Sequence, residues 1–146
     1  MTKRRKPKLN PGELVGERYR IDGVVGQGGF GAVYRATQLE TGISVALKVL
    51  IKNLSTAGTD FKRFQREASL VQKLRHPNVV QLLDYGQTER GESFIAFELL
   101  EGRALSVMLK QDGKLPLPRA GRIAREVLSA LEAAHALGII HRDIKP

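Results

Sequence analysis

The first stretch of this chain whose residue types suit a chemistry is Gly26-Gln27-Gly28-Gly29-Phe30-Gly31-Ala32-Val33. Glycines at 26, 28 and 31 leave backbone N–H groups bare, so phosphate oxygens can approach with no Cβ in the way. The GxGxxG form alone is weak, because a chain with 15 glycines yields one by chance on the order of one time in ten. Its surroundings narrow it. A dinucleotide-binding turn opens a helix after the third glycine and needs an acidic residue about twenty positions on. Here Ala32-Val33-Tyr34-Arg35-Ala36 prefers a strand, and no acidic residue lies between Glu40 and Asp60. A P-loop carries Lys-Ser/Thr after its last glycine, where this chain has Ala32. What remains is a phosphate-sized turn between two strands.

Two further side chains suit the same chemistry. In Val45-Ala46-Leu47-Lys48, strand alternation puts Ala46 and Lys48 on one face and Val45, Leu47 and Val49 on the other. The first face offers a small residue that admits a flat ring, beside a cation that can reach phosphate. The plain alternative is a solvent-facing lysine on an edge strand. Glu67 weighs against that alternative, because it falls on the apolar stripe Phe61, Phe64, Ala68, Val71 of a predicted helix. A carboxylate turned toward a core needs a partner, and Lys48 is the natural one; a surface Glu67 is the other reading.

The third group is His141-Arg142-Asp143-Ile144-Lys145-Pro146, with five fixed residues whose chance occurrence in a chain of this length is about one in a hundred thousand. An ordinary helix-to-strand turn accounts for any two of them. Taken in order, the glycine turn, Val45-Ala46-Leu47-Lys48, the helical Glu67 and this segment resemble the signature set of the eukaryotic-type (Hanks-type) serine/threonine protein kinases, over roughly Tyr19 to Pro146. Lys145, two residues after Asp143, is similar to the serine/threonine branch, and the glycine-rich style is similar to the bacterial members.

The resemblance implies an α+β, two-lobed fold with ATP in the cleft and a protein hydroxyl as acceptor. Val25, Val33 and Ala46 would sandwich adenine, whose edge would meet backbone groups of Glu98 and Leu100 in the hinge, with Phe97 gating the pocket behind. Gly26, Gly28, Gly31 and Phe30 would cover the phosphates, and Lys48, fixed by Glu67, would hold them. Asp143 would be the catalytic base, with His141 packed beneath its loop, and Lys145 would offset charge on the transferred phosphoryl group. The expected Mg²⁺ ligands, an Asn and the Asp of Asp-Phe-Gly, are not among these residues.

Positioning these groups requires several elements. Arg18–Val25, Ala32–Thr37 and Ser44–Ile51 read as a three-stranded antiparallel meander, with Glu40-Thr41-Gly42 as its second turn. Val79–Tyr85 and Phe94–Leu99 read as two more strands, which makes a five-stranded sheet. Phe61–Leu74 reads as the regulatory helix, with Asp60 as N-cap and a stop at His76-Pro77, where His76 is a turn residue and not a metal ligand. Leu105–Gln111 suits a short helix. Pro118–Leu137 carries apolar residues at i, i+3, i+4 and i+7, and Gly138 stands at its C-cap.

Composition sets the remaining bounds. A full domain of this family has about 250 residues, so 146 residues read as a little over half of one: a basic arm (1–17), an N-lobe with its hinge strand (18–100) and the first part of a C-lobe (101–146). The expectation is a kinase fragment inactive on its own; the alternative is a non-catalytic nucleotide- or partner-binding module. Of the net charge of +9, Lys3, Arg4, Arg5, Lys6 and Lys8 supply five, which reads as a solvated arm. Three tyrosines, five phenylalanines and no tryptophan form no stacking platform, so no nucleic-acid partner is expected. There is no cysteine, no secretory h-region and no apolar run long enough to span a bilayer, so the expected location is cytoplasmic, with any membrane anchor lying downstream.

Overall fold

The computed structural model describes residues 9–28, 31–50 and 59–146. Its Cα packing forms two compact units. One comprises the described residues up to Gln72 with Gln81–Leu99, and the other Lys73–Val80 with Leu100–Pro146.

The first unit is built on an antiparallel sheet of strands β1 (Leu14–Val15), β2 (Tyr19–Gly28), β3 (Gly31–Gln38), β4 (Ser44–Leu50), β5 (Leu82–Gln87) and β6 (Ser93–Glu98), in the spatial order β1-β2-β3-β4-β6-β5. The sheet therefore has six strands where five were expected. The additional one is β1, a two-residue strand pairing Leu14 with Arg20 and Val15 with Tyr19, too short to show an alternating pattern.

Alternation decides which face is core. On β3 and β4 the residues Ala32, Tyr34, Ala36, Val45, Leu47 and Val49 are buried, and they join Val15, Tyr19, Ile21, Phe94 and Ala96 in one cluster. Burying a Leu- or Phe-sized side chain contributes about 1.5–3 kcal/mol, so this face carries most of the unit's stability. Tyr19 and Phe94 meet edge to face at 5.8 Å between ring centroids. At the rim, Arg18 Nη1 lies 2.7 Å from Asp84 Oδ2, and the Tyr19 hydroxyl donates to the same oxygen at 2.7 Å. Burial, together with the Asp84 carboxylate beside it, pushes the Tyr19 phenol well above its usual range.

Helix α1 (Thr59–Gln72) begins two residues before the expected start, so Asp60 lies inside it and is not its N-cap. It packs against β5 through Phe64, whose ring meets Tyr85 edge to face at 6.3 Å. Its end is tied to the sheet: Gln72 Nε2 donates to Leu83 O at 2.9 Å, and Gln81 Nε2 donates to Gln72 O at 3.2 Å. Val79 and Val80, read as strand, stand before β5. There Val79 N–H donates to His76 O in a turn, which postpones the strand to Leu82.

The second unit holds α2 (Leu105–Asp112) and α3 (Leu117–Ala136). The end of α3 is a double-bonded glycine cap: Gly138 sits at φ 72°, its N–H donates to His135 O at 2.9 Å, and Ile139 N–H donates to Ala134 O at 2.9 Å. His76 does more than close a turn. Its Nδ1 accepts from Asn78 N–H at 3.1 Å, which leaves the neutral ring's proton on Nε2, 3.0 Å from Ser129 Oγ on α3.

Candidate functional site

The site residues on the sheet lie on the face opposite the core. Val33 on β3 is the register partner of Gly26 on β2 and of Lys48 on β4, and Lys48 is in turn the partner of Ile95 on β6. One row across four strands thus carries a glycine, a valine, a lysine and an isoleucine. The adjacent row places Ala46 between Arg35 and Phe97. Val33, Ala46 and Lys48 are all half-buried, between the closed core face and open solvent. Val25 falls at the register shift between Val24 and Gly26 and is 60% exposed. A bulge there turns the strand just before the glycines.

The glycines serve two different needs. A Cβ on Gly26 would meet no atom within 4 Å, which leaves its backbone open to a ligand. A Cβ on Gly31 would collide with the Val49 carbonyl oxygen, so this glycine is required by the β3–β4 approach itself. Gly28 pairs with Gly31 across the turn, while Phe30 lies outside the described residues. At the other end of the sheet Glu98 donates its N–H to Gln81 O at 3.1 Å, and its Oε1 accepts from Gln81 N–H at 2.8 Å. Leu100, in the second unit, is 63% exposed.

Glu67 departs from expectation. It is not turned toward a core: its side chain is 67% exposed, and Arg63 Nε donates to its Oε1 at 3.0 Å. Among the described residues no ion pair joins Lys48 to Glu67. The reason is angular. The buried stripe of α1 centres near Phe64 and Ala68, and at about 100° per residue Glu67 stands some 80° off that centre. Arg63, four residues earlier on the same exposed flank, then becomes its neighbour. The sequence does carry that signal, as an i,i+4 Arg–Glu pair.

In the second unit, Lys145 Nζ donates to Asp143 Oδ2 at 2.9 Å, and both side chains are 70% exposed. This hydrogen bond and the ammonium charge behind it hold the Asp143 carboxyl below the usual carboxylate range. Arg142 is left-handed at φ 64°, a conformation that non-glycine residues seldom adopt. Next to it, Asp143 N–H donates to His141 Nδ1 at 3.2 Å. His141 was expected to pack beneath the loop; it is exposed instead and holds the loop by accepting that backbone proton. Among the described residues no three His, Asp or Glu side chains gather as metal ligands. Nor is any described helix long and apolar enough to cross a membrane.

Comparison with known proteins gives the family. Residues 19–146 match the protein kinase domain family. The chain is 44% identical over 135 residues to the serine/threonine-protein kinase pkn3 of Myxococcus xanthus, covering 92% of this chain and 25% of that protein. It is 41% identical over 128 residues to PknE of Mycobacterium tuberculosis, covering 88% of this chain and 22% of the relative. The chain thus spans about a quarter of the length of these curated relatives. Among solved structures, the kinase domain of M. tuberculosis PknI superposes with a TM-score of 0.82 at 28% identity, covering 95% of this chain and 55% of that one. With residues 19–146 matched, the chain belongs to the protein kinase domain family.

Proposed function

We propose that these residues are the ATP-binding lobe and the catalytic-base segment of a serine/threonine protein kinase, which transfers the γ-phosphoryl group of ATP to a protein hydroxyl. The observation that carries this reading is the row Gly26–Val33–Lys48 on the non-core face, with Ala46 one row away. It sets an open glycine backbone and a cation on either side of a branched apolar residue, with a small residue one row away. That set suits a flat base joined to a polyphosphate. Val25, Val33 and Ala46 pack the adenine faces, and the backbones of Glu98 and Leu100 bind its edge. The Gly26–Gly31 turn donates N–H groups to the phosphates, and Lys48 neutralises their charge.

In the same reading Asp143 takes the proton of the attacking hydroxyl. A carboxyl pKa held below the usual range keeps it ionised as an acceptor, and Lys145 steadies its orientation. Glu67 fixes Lys48 once it has left Arg63. The exposed i,i+4 pair itself contributes only about 0.3–0.5 kcal/mol to holding Glu67 away; its angular position on α1 is the other contribution. Mg²⁺, the usual companion of ATP in this family, finds no ligand set among the described residues.

Lys48→Met in the complete kinase tests the reading. Phosphate incorporation should fall by about a hundredfold or more with little change in melting temperature. Near-normal turnover in a folded variant would return Lys48 to the role of an exposed strand lysine. Residues 1–146 alone should show no Asp143-dependent incorporation from labelled ATP.

A further inference from the structure

We propose that Gln81 is a positioning residue for the nucleotide: it ties the end of α1 to Glu98, so that adenine binding and the setting of that helix are coupled through it. The inference rests on the nucleotide reading above, in which the Glu98 backbone meets the adenine edge. It adds to that reading a residue that touches no ligand.

Gln81 stands where the chain returns to the sheet unit. The chain leaves that unit after Gln72, the last residue of α1, re-enters it at Gln81, and leaves again after Leu99, which follows Glu98. Gln72, Gln81 and Glu98 share one hydrogen-bonded network inside the sheet unit. The Gln81 side-chain Nε2 donates to Gln72 O at 3.2 Å and to Leu82 O at 3.0 Å, which uses both of its protons. The Gln81 backbone N–H donates to Glu98 Oε1 at 2.8 Å, and the Gln81 carbonyl accepts the Glu98 N–H at 3.1 Å. Gln72 Nε2, donating to Leu83 O at 2.9 Å, closes the network on β5.

The two sides of this network are not equally firm. The bond to Glu98 has a carboxylate acceptor and lies at the short end of the hydrogen-bond range, so Gln81 and Glu98 are held tightly together. The bond to Gln72 O is neutral and lies at the long end of that range. Gln72 O is one of the last carbonyls of α1, which a helix leaves without a partner of its own, so the Gln81 amide supplies what the helix end lacks. Gln81 and Gln72 are both half-buried, which limits replacement of these bonds by water. A ligand that fixes the Glu98 backbone therefore fixes Gln81, and with it the direction of Nε2. The loose bond is the one that gains, and it belongs to the helix that carries Glu67.

In the complete kinase, Gln81→Met keeps the length of the side chain and removes both of its donors, while the backbone bonds to Glu98 stay. Binding of adenosine, which carries no phosphate, should weaken about three- to tenfold, the worth of one ordinary hydrogen bond. Binding of inorganic triphosphate, which meets the glycine turn and Lys48, should change by less than about twofold. Hydrogen exchange reads the other end of the network. Adenosine should slow exchange of amides 69–72 severalfold in the parent and leave it unchanged in Gln81→Met. A variant that melts earlier but keeps both responses of the parent makes Gln81 a helix cap and overturns the inference. Equal weakening for adenosine and triphosphate does so too, since it reports a general loosening of the unit. The parent measurement needs no substitution, so it decides even if Gln81→Met does not fold: adenosine that binds without slowing amides 69–72 overturns this inference alone. A parent that binds triphosphate and no adenosine overturns it together with the adenine reading.

Discussion

In the sheet unit Tyr34, Leu47 and Phe94 have no exposed surface, whereas on α3 of the helical unit Leu128 is 64% exposed and only Ala134 is buried. Both regions are strongly patterned, one with period 2 and the other with period 3.6. They differ in what lies against the apolar side. The two-residue alternation of β3 and β4 meets Val15, Tyr19, Ile21 and Phe94 from the same unit, while the stripe of α3 meets little within these residues. A patterned face specifies a surface to be covered, and burial needs a second surface. The proposed chemistry divides the same way. Lys48 stands on a strand backed by the core, and Asp143 on a loop open to solvent.

The largest effect should come from the loop. Asp143→Asn keeps the size of the side chain and removes the base, so turnover of the complete kinase should fall by about 10²–10⁴ with little change in folding. Labelled-phosphate transfer measured beside thermal melting checks both halves. Turnover within a factor of a few of the parent would strip Asp143 of its role and leave the sheet face as a binding surface only.

The next test compares the units directly. Leu47→Ala opens a cavity in the sheet core and should cost about 2–5 kcal/mol, whereas Leu128→Ala, at a site already exposed, should stay within about 0.5 kcal/mol. Denaturant midpoints of the two variants in residues 1–146 read the difference. Equal losses would mean that α3 is covered, by self-association for example, and that its exposure does not persist in solution.

Gly138→Ala should have a smaller effect. The residue ends α3 at φ 72°, where an alanine Cβ crowds the next carbonyl at a cost of about 1–2 kcal/mol, even though the site offers open space to a Cβ. A Gly138→Asn variant should recover part of that loss, since asparagine tolerates the left-handed region better. If alanine and asparagine melt alike, the cap is not what fixes the helix end.

Much of this was legible in the chain. Gly138 after a regular apolar repeat announced its cap, and Val45-Ala46-Leu47-Lys48 announced which face of β4 is core. Those features depend on neighbours close in sequence or on simple period. The residues that misled depend on angles set by packing. Val79 and Val80 are β-branched and look like strand, but the turn closed on His76 keeps them out of β5. Leu14–Val15 pairs only because β2 offers an edge. Glu67 sits at the margin of a stripe, and whether a marginal position faces inward is fixed by how Phe64 meets Tyr85, which no local pattern contains.

That margin supplies the smallest predicted effect. Arg63 is 81% exposed and its pair with Glu67 is screened by water, so Arg63→Ala should lower the melting temperature by no more than about 2 °C. The substitution also releases Glu67 from its present partner. If the exchange of Arg63 for Lys48 belongs to activation, losing a competitor worth about 0.4 kcal/mol should raise turnover of the complete kinase by up to about twofold. The rise should vanish in a Glu67→Gln background, where there is no carboxylate to compete for. A tenfold fall in turnover from Arg63→Ala would mean that the Arg63–Glu67 contact is part of the working arrangement. The placement of Glu67 beside Lys48 would then have to be given up.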